Sequence, residues 1–410
     1  MAYIERALTP ILQRRAAQSK CLLVTGARQV GKSTLIRHVF PDHNRANFDD
    51  RLTRLQAREE PKLFFLNHPR PLFIDEVQKE SGVLEEIKLM VDESDERGAF
   101  ILSGSQKLEL MKGMSESLAG RVSVCELCGL SMRELNGIAF NRHFIPTEAY
   151  LCEREKQRRP YPDLWETIHR GFYPELYDVP RDWQDFYASY VSTYLERDIN
   201  ELISADSLTF TKFLTAAAAR TGEMLNCASI ANDVGVSEPT VKAWLSILER
   251  TGIVYILQPY SAGALTRAIK TPKLYFRDTG LACYLTRWVS AEALKNSAVA
   301  GNMFETFVVS EILKSYSNEG RDYRFQVYYY RGKDKSASSE NEIDLIIEEN
   351  GMLYPVEIKM TGNPKASMGA ANPVLDKIPD KKRGTGVILC LVDQKLYLRE
   401  NLIALPIEYI

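Results

Sequence analysis

The chain has 410 residues, 45% of them hydrophobic and 26% charged, with a formal net charge of −2 at pH 7. A single core seldom grows past roughly 250–300 residues, so two or three domains are expected, and this composition excludes wholesale disorder. The near-neutral balance excludes a general basic field, so any contact with nucleic acid has to rest on a local patch.

No run approaches the ~20 apolar residues that a spanning helix needs, and the first residues carry no signal-type apolar region. A cytoplasmic protein without a membrane partner is the expectation. The cysteines are scattered, mostly in apolar runs such as "KCLLV" and "GVILCLV", which suits reduced core thiols. Cys125 and Cys128 form one "CELC" pair, but no second pair with ligand spacing accompanies it.

In chain order, Ile4, Leu8, Ile11 and Leu12 recur at helical spacing and predict a helix over residues 3–18. The runs "CLLVT", "PLFIDE" and "AFILSGS" then alternate with helical stretches such as "EEIKLMVDE" and "QKLELMKGMSE". Strands alternating with helices predict a parallel sheet covered on both faces. The charged, proline-punctuated stretch "EREKQRRPYP" (153–162) reads as a linker, and residues 163–250 read as helical. After residue 300, "FQVYYY", "EIDLIIE", "LYPVEIK" and "GVILCLV" read as strands beside the helix "NMFETFVVSEILKSY", and "KDKSASSE" as a polar hairpin loop. The expected segments are 1–150, 160–285 and 290–410.

The first of these carries a nucleotide signature. "GARQVGKS" fits G-x-x-x-x-G-K-[ST] from Gly26 to Ser33, after an apolar strand and before the helix-opening "TLIRHVF". Gly26 and Gly31 let the backbone curl so that the N–H groups of Ala27, Arg28, Gln29, Val30 and their neighbours through Thr34 point at phosphate oxygens. The helix N-terminus adds its positive dipole end. Lys32 is expected to reach the β- and γ-phosphates of ATP and Ser33 to ligate Mg²⁺. "LFIDE" places Asp75 at a strand end, where it can hold the Mg²⁺ shell, with Glu76 next to it to orient or deprotonate the attacking water. Ser105 or Ser103, in "FILSGS", is a candidate for the γ-phosphate or the water. Arg121, in "SLAGR", is either an arginine finger, in cis or from a neighbouring subunit, or an exposed salt-bridge arginine.

"GARQVGKST", "FIDEVQK", "LSGSQ" and "SLAGR" together resemble the AAA-type ATPase domain of a prokaryotic family. Its members join that domain to a winged-helix segment and a C-terminal nuclease-like domain of unassigned function. The resemblance runs on through "YLERDI", "PKLYFRDTGLACYL" and "EIDLII…PVEIK". It implies an α/β chain: an AAA-type P-loop NTPase domain of the additional-strand class, a helical and winged-helix middle module, and a C-terminal α/β restriction-endonuclease-like domain.

The middle segment has helix–turn–helix grammar. Ile230, Ala231 and Val234 make a short helix closing at Gly235; Ser237 caps the next, with Pro239 in its first turn. Val241, Trp244, Leu245 and Leu248 recur on one face and predict an inward stripe. Glu238, Thr240 and Lys242 would face outward, as a recognition helix presents them. Lys242 is the sole cation of these three, so DNA binding and protein docking both fit; Arg267, Lys270 and Lys273 would favour DNA if they lie on the wing.

In the last segment, strand alternation puts Glu357 and Lys359 on one face, and antiparallel pairing would bring Asp344 beside Glu357. Two carboxylates with an adjacent ammonium can form a Mg²⁺ site with a lysine to position water. Glu305 can complete the acidic cluster. The pattern resembles the PD-(D/E)-x-K nuclease fold, with Asp344, Glu357 and Lys359 at its metal-binding and catalytic positions, although "NEID" has no proline before the aspartate. Active cleavage and an inherited but inactive fold both remain open.

The expected activity is therefore Mg²⁺-dependent ATP hydrolysis coupled to DNA. The alternative is a nucleotide-controlled signalling or defence switch, acting through homo-oligomer assembly, whose last domain is a scaffold.

Overall fold

A computed structural model describes residues 3–104, 118, 120–178, 180–199, 206–260, 271–333 and 340–410. The N-terminal sheet is parallel, in the order β2-β3-β4-β1-β5. Its strands are β1 (Cys21–Thr25), β2 (Asn44–Asn47), β3 (Leu72–Asp75), β4 (Phe100–Gly104) and β5 (Val122–Glu126). Side-chain alternation decides which residues face which layer. Leu22, Val24, Phe73 and Ile101 pack with Leu8, Ile11, Leu12, Leu35 and Ile36 on one face. Cys21, Leu23, Leu72, Ile74 and Leu102 pack with Phe64, Leu84, Ile87 and Val91 on the other. Both faces of β1, β3 and β4 are thus covered, which is why these three read as apolar runs, whereas β2 ("NRAN") is polar and mostly exposed.

Two sequence expectations are corrected. The first helix starts only at Thr9 and runs to Gln18, with Pro10 in its first turn. Residues before it form a strap held by the buried Arg6, which bonds Glu134 (3.0 Å), the Val30 carbonyl (2.8 Å) and the Cys128 carbonyl (2.7 Å). A charged side chain buried there requires those partners, and helical spacing over residues 3–18 could not reveal them. The stretch 153–162 is not a free linker either: Glu148–Glu155 is helical, and Arg154 and Tyr161 are buried.

The middle segment is mostly helical and ends in a three-stranded antiparallel sheet, order β6-β8-β7, from β6 (Glu223–Met224), β7 (Val254–Leu257) and β8 (Lys273–Phe276). The C-terminal sheet is mixed, ordered β14-β15-β13-β11-β10-β9, with β12 pairing β11. Its members are β9 (Val327–Lys333), β10 (Glu340–Glu349), β11 (Met352–Ile358), β12 (Lys382–Arg383), β13 (Gly386–Cys390), β14 (Leu396–Arg399) and β15 (Leu402–Pro406). The helix Ala300–Asn318 is buried on nearly all sides, as a helix apolar round most of its circumference must be. One core cluster runs from Leu8 through Phe172, Tyr255 and Phe307 to Ile410, so the three segments share a continuous interior. The expected loop at 334–339 lies outside the described residues.

Candidate functional site

The glycine-rich loop leaves β1 at Thr25 and enters the helix Lys32–Val39. Gly26 has φ +148°, and a Cβ there would stand 2.2 Å from the Leu127 carbonyl oxygen, so no other residue fits without moving the chain. Gly31, at φ +92°, is the helix N-cap, and Gln29 is also left-handed at φ +64°. Successive left-handed and right-handed residues form a concave row of N–H groups that suits an anion. Ala27 and Val30 face inward, while Arg28 lies 5.6 Å over the Tyr194 ring.

Lys32 is buried, and its ammonium donates to the carbonyls of Gly26 (3.1 Å) and Ala27 (2.9 Å). Burial lowers its pKa to about 8, against the opposing pull of Glu76 and Asp75. Those two acids share its electrostatic neighbourhood although one ends β3 and the other follows it, more than forty residues on. Ser33 follows at the helix start, half-buried, and Thr34 is exposed.

Asp75 ends β3 and is buried; the Ser103 hydroxyl on adjacent β4 donates to its Oδ1. Of the two serines singled out in the sequence, Ser103 thus orients the acid, and Ser105 lies outside the described residues. Glu76 adopts φ +53°, ψ +44°, and the Gln78 amide donates to its carboxylate. A left-handed glutamate is uncommon and costs on the order of 1 kcal/mol or more.

For Arg121 the salt-bridge alternative fits its place in the fold. It immediately precedes β5, and Val122 pairs with Cys21, the first residue of β1. The loop begins after the last residue of β1, so Arg121 stands at the opposite end of the sheet, roughly 15 Å away at about 3.3 Å per residue. There its Nε and Nη2 grip Asp92 at 2.5 and 3.0 Å. An arginine finger in cis is excluded by that placement.

In the middle segment, Asn226 caps the helix Cys227–Val234, which ends at left-handed Gly235. Ser237 caps the helix Glu238–Arg250, whose buried residues are Val241, Trp244, Leu245 and Leu248. Glu238 and Lys242 point outward but pair with each other at 2.6 Å, and Thr240 bonds the Ser237 hydroxyl at 2.7 Å. Arg267 and Lys270 lie outside the described residues. Lys273, which would favour DNA if it lay on an exposed wing, does not: it is buried on β8, 3.1 Å from Glu305 and 2.9 Å from Glu342. Its pKa is raised, because Glu305, Asp344 and Glu342 outweigh the burial that alone would lower it. Sequence pattern missed this, and Tyr275, whose hydroxyl donates to Glu305 at 2.7 Å.

The C-terminal acids do converge. Leu345 pairs with Val356 in the antiparallel β10–β11 ladder, which brings Asp344 to Glu357. Lys359 Nζ lies 2.7 Å from Asp344 Oδ2 and 3.0 Å from Glu357 Oε2. The register between β9 and β10 shifts between Ile343 and Ile346, an irregularity that re-aims the acid beside it. Asp344 also accepts from the Ile358 amide at 2.8 Å. Burial and the Asp344 charge push the Glu357 pKa up to about 8, and its Oε1 is buried with no hydrogen-bond partner. That hard, unsatisfied oxygen suits Mg²⁺, which commonly keeps waters and takes one or two carboxylates. Among the described residues, no group of three or more His, Cys, Asp or Glu side chains is arranged to hold a metal ion, so water or a phosphate would complete either site. Glu305 joins through Lys273, and Asp344 helps to raise its pKa after burial.

Residues 18–136 match the AAA domain family, residues 161–292 a domain of unknown function (DUF8612), and residues 300–410 another (DUF4143). Uncharacterized proteins Rv2008c of Mycobacterium tuberculosis and Mb2031c of Mycobacterium bovis are each 28% identical over 375 residues, covering 89% of this chain and 76% of theirs. The Walker-type ATPase PABY2304 of Pyrococcus abyssi is similar over 69% of this chain and 96% of its own, at 16% identity and TM-score 0.41. The N-terminal segment thus carries an AAA domain on a parallel sheet, which implies ATP binding. No helix among the described residues is long and apolar enough to cross a membrane.

Proposed function

We propose that the chain hydrolyses ATP with Mg²⁺ at the loop Gly26–Thr34. The observation that carries this reading is the buried Lys32 ammonium, held on the Gly26 and Ala27 carbonyls of a loop with left-handed Gln29 and Gly31, together with the buried Asp75 that ends β3. On nucleotide binding, Lys32 would exchange the Gly26 and Ala27 carbonyls for phosphate oxygens while the loop amides cradle the chain. Ser33 and Asp75 would hold Mg²⁺, which supplies neutralisation of the phosphate charge, and Ser103 fixes the Asp75 carboxylate. Glu76 would orient the attacking water and accept its proton. Arg121 can act in this scheme only from a neighbouring subunit of a homo-oligomer. The test is phosphate release with Mg²⁺-ATP: Glu76→Gln should retain nucleotide binding and lose turnover by about 10²–10⁴-fold. Undiminished turnover in that variant defeats the assignment of Glu76.

We further propose that hydrolysis is coupled to DNA through the helix–turn–helix and the C-terminal acids, with Asp344 and Glu357 as a Mg²⁺ site and Lys359 as the water-positioning group. Support comes from the convergence of those three side chains and the orphaned Glu357 oxygen. The second reading, a nucleotide-controlled switch with a scaffold domain, is favoured by a different observation. Lys242, the cation near the start of the outward helix, is paired with its own Glu238, which leaves little there to meet phosphates. ATP turnover measured with and without duplex, single-strand and branched DNA separates the two. Stimulation supports coupling; indifference with nucleotide-dependent assembly supports the switch. Cleavage of DNA that survives Asp344→Ala would exclude the C-terminal site as its source.

A further inference from the structure

Strand β8 belongs to the middle sheet, where it pairs with β6 on one side and β7 on the other. Lys273 and Tyr275 are two residues apart on it and so share a face. That face points into the C-terminal acids. The Lys273 ammonium, 3% exposed, lies within hydrogen-bonding distance of Glu305 Oε1 and Glu342 Oε1, and Tyr275 donates to the same Glu305 oxygen.

The cluster is therefore asymmetric. At the Glu305 end, a fixed ammonium and a phenol both donate to Glu305 Oε1. At the Asp344 and Glu357 end, Lys359 is a third exposed and Glu357, 4% exposed, keeps an oxygen with no partner. Lys273 cannot swing away as a surface lysine would, because Met224 and Leu257 flank it in the ladders on both sides and Tyr329 lies over it, 5.6 Å from ammonium to ring centre.

We infer that Lys273 is a built-in counter-ion at the Glu305 end of the acid cluster, so that the site takes a single divalent cation between Asp344 and Glu357 and excludes a second. This rests on the reading of Asp344 and Glu357 as a cation site. The physical reason is placement: a second cation on Glu305 would sit against a buried ammonium that has no solvent to retreat into. Lys273 is thus a positioning residue supplied from outside the C-terminal segment.

The test is Mn²⁺ binding to the full nucleotide-free chain, counted by calorimetry and by electron paramagnetic resonance, with Asp344→Asn subtracted to isolate this site. One Asp344-dependent ion is expected in the unaltered protein and in Lys273→Arg. Lys273→Met should admit a second ion or tighten Mn²⁺ binding at least tenfold. Two Asp344-dependent ions in the unaltered protein overturn the inference, as does a Lys273→Met protein with unchanged count and affinity. Should Lys273→Met fail to fold, Glu305→Gln decides: one ion is retained if Lys273 already fills that end, and an ion is lost if Glu305 was a ligand. Absence of any Asp344-dependent ion defeats the cation-site reading itself, a result distinct from a miscounted one.

Discussion

The backbone nitrogen of Ala27 lies 3.3 Å from the point where a Cβ on Gly252 would stand. Gly252 closes the turn after the helix Glu238–Arg250, at φ +78°. The end of the helix–turn–helix thus rests directly on the back of the phosphate-binding loop. Gly252→Ala is expected to cost about 1–2 kcal/mol through its left-handed backbone. It should also weaken Mg²⁺-ATP binding, since the methyl presses on an amide of the loop. Nucleotide titration beside thermal unfolding checks this; a lower melting temperature with unchanged ATP affinity would show that the loop does not feel the helix behind it.

Lys32 carries a cost in the nucleotide-free protein. Its pKa falls from 10.5 to about 8 on burial, which corresponds to a destabilisation on the order of 3 kcal/mol. Below pH 8 both folded and unfolded chains hold the proton, so the cost is present in full. As pH rises from 8 toward 10.5 the folded chain has released the proton while the unfolded chain keeps it, and the cost disappears. Lys32→Met should therefore abolish ATP binding yet raise apo stability at pH 7, with the gain shrinking by pH 10. Denaturant unfolding at the two pH values measures it.

Ser103 and Asp75 predict a milder defect. Without the hydroxyl, the Asp75 carboxylate loses the donor that fixes its orientation. Ser103→Ala is expected to raise the Mg²⁺ concentration needed for half-maximal turnover about 10-fold, with little change in melting temperature. A Mg²⁺ titration of ATPase rate reads this directly.

Asp278 is a stability prediction. It is buried and accepts from Phe172 N (2.6 Å), Tyr187 OH (2.6 Å) and Leu281 N (2.8 Å), joining a loop to the helices Trp183–Tyr190 and Thr279–Leu285. Asp278→Ala strands those donors without water and should cost about 3–5 kcal/mol. Asp278→Asn keeps an accepting oxygen and should cost less. Equal losses in the two variants, measured by chemical denaturation, would assign the effect to charge alone.

How far each feature could be read depended on how local its cause was. The inward stripe Val241, Trp244, Leu245 and Leu248 and the caps at Ser237 and Gly235 follow from spacing within one helix. The strap around Arg6 does not, because its partners lie more than 120 positions on, Cys128 after β5 and Glu134 in the helix Met132–Leu135. The choice left open for Arg121, finger or salt-bridge arginine, had a similar cause: its neighbours in sequence say nothing about which end of the sheet it occupies, and that is decided by pairing Val122 with Cys21.

The sequence by itself determined the phosphate-binding loop and the order of strands and helices around it. Their signals are short-range: backbone freedom at Gly26 and Gly31, a lysine at the helix start, apolar runs between them. Tertiary structure alone decided that Ser103 serves Asp75, that the helix–turn–helix backs the loop, and that Lys273 turns inward to the C-terminal acids. Each depends on which strand lies beside which, and a side chain's direction is settled only when packing removes the alternatives.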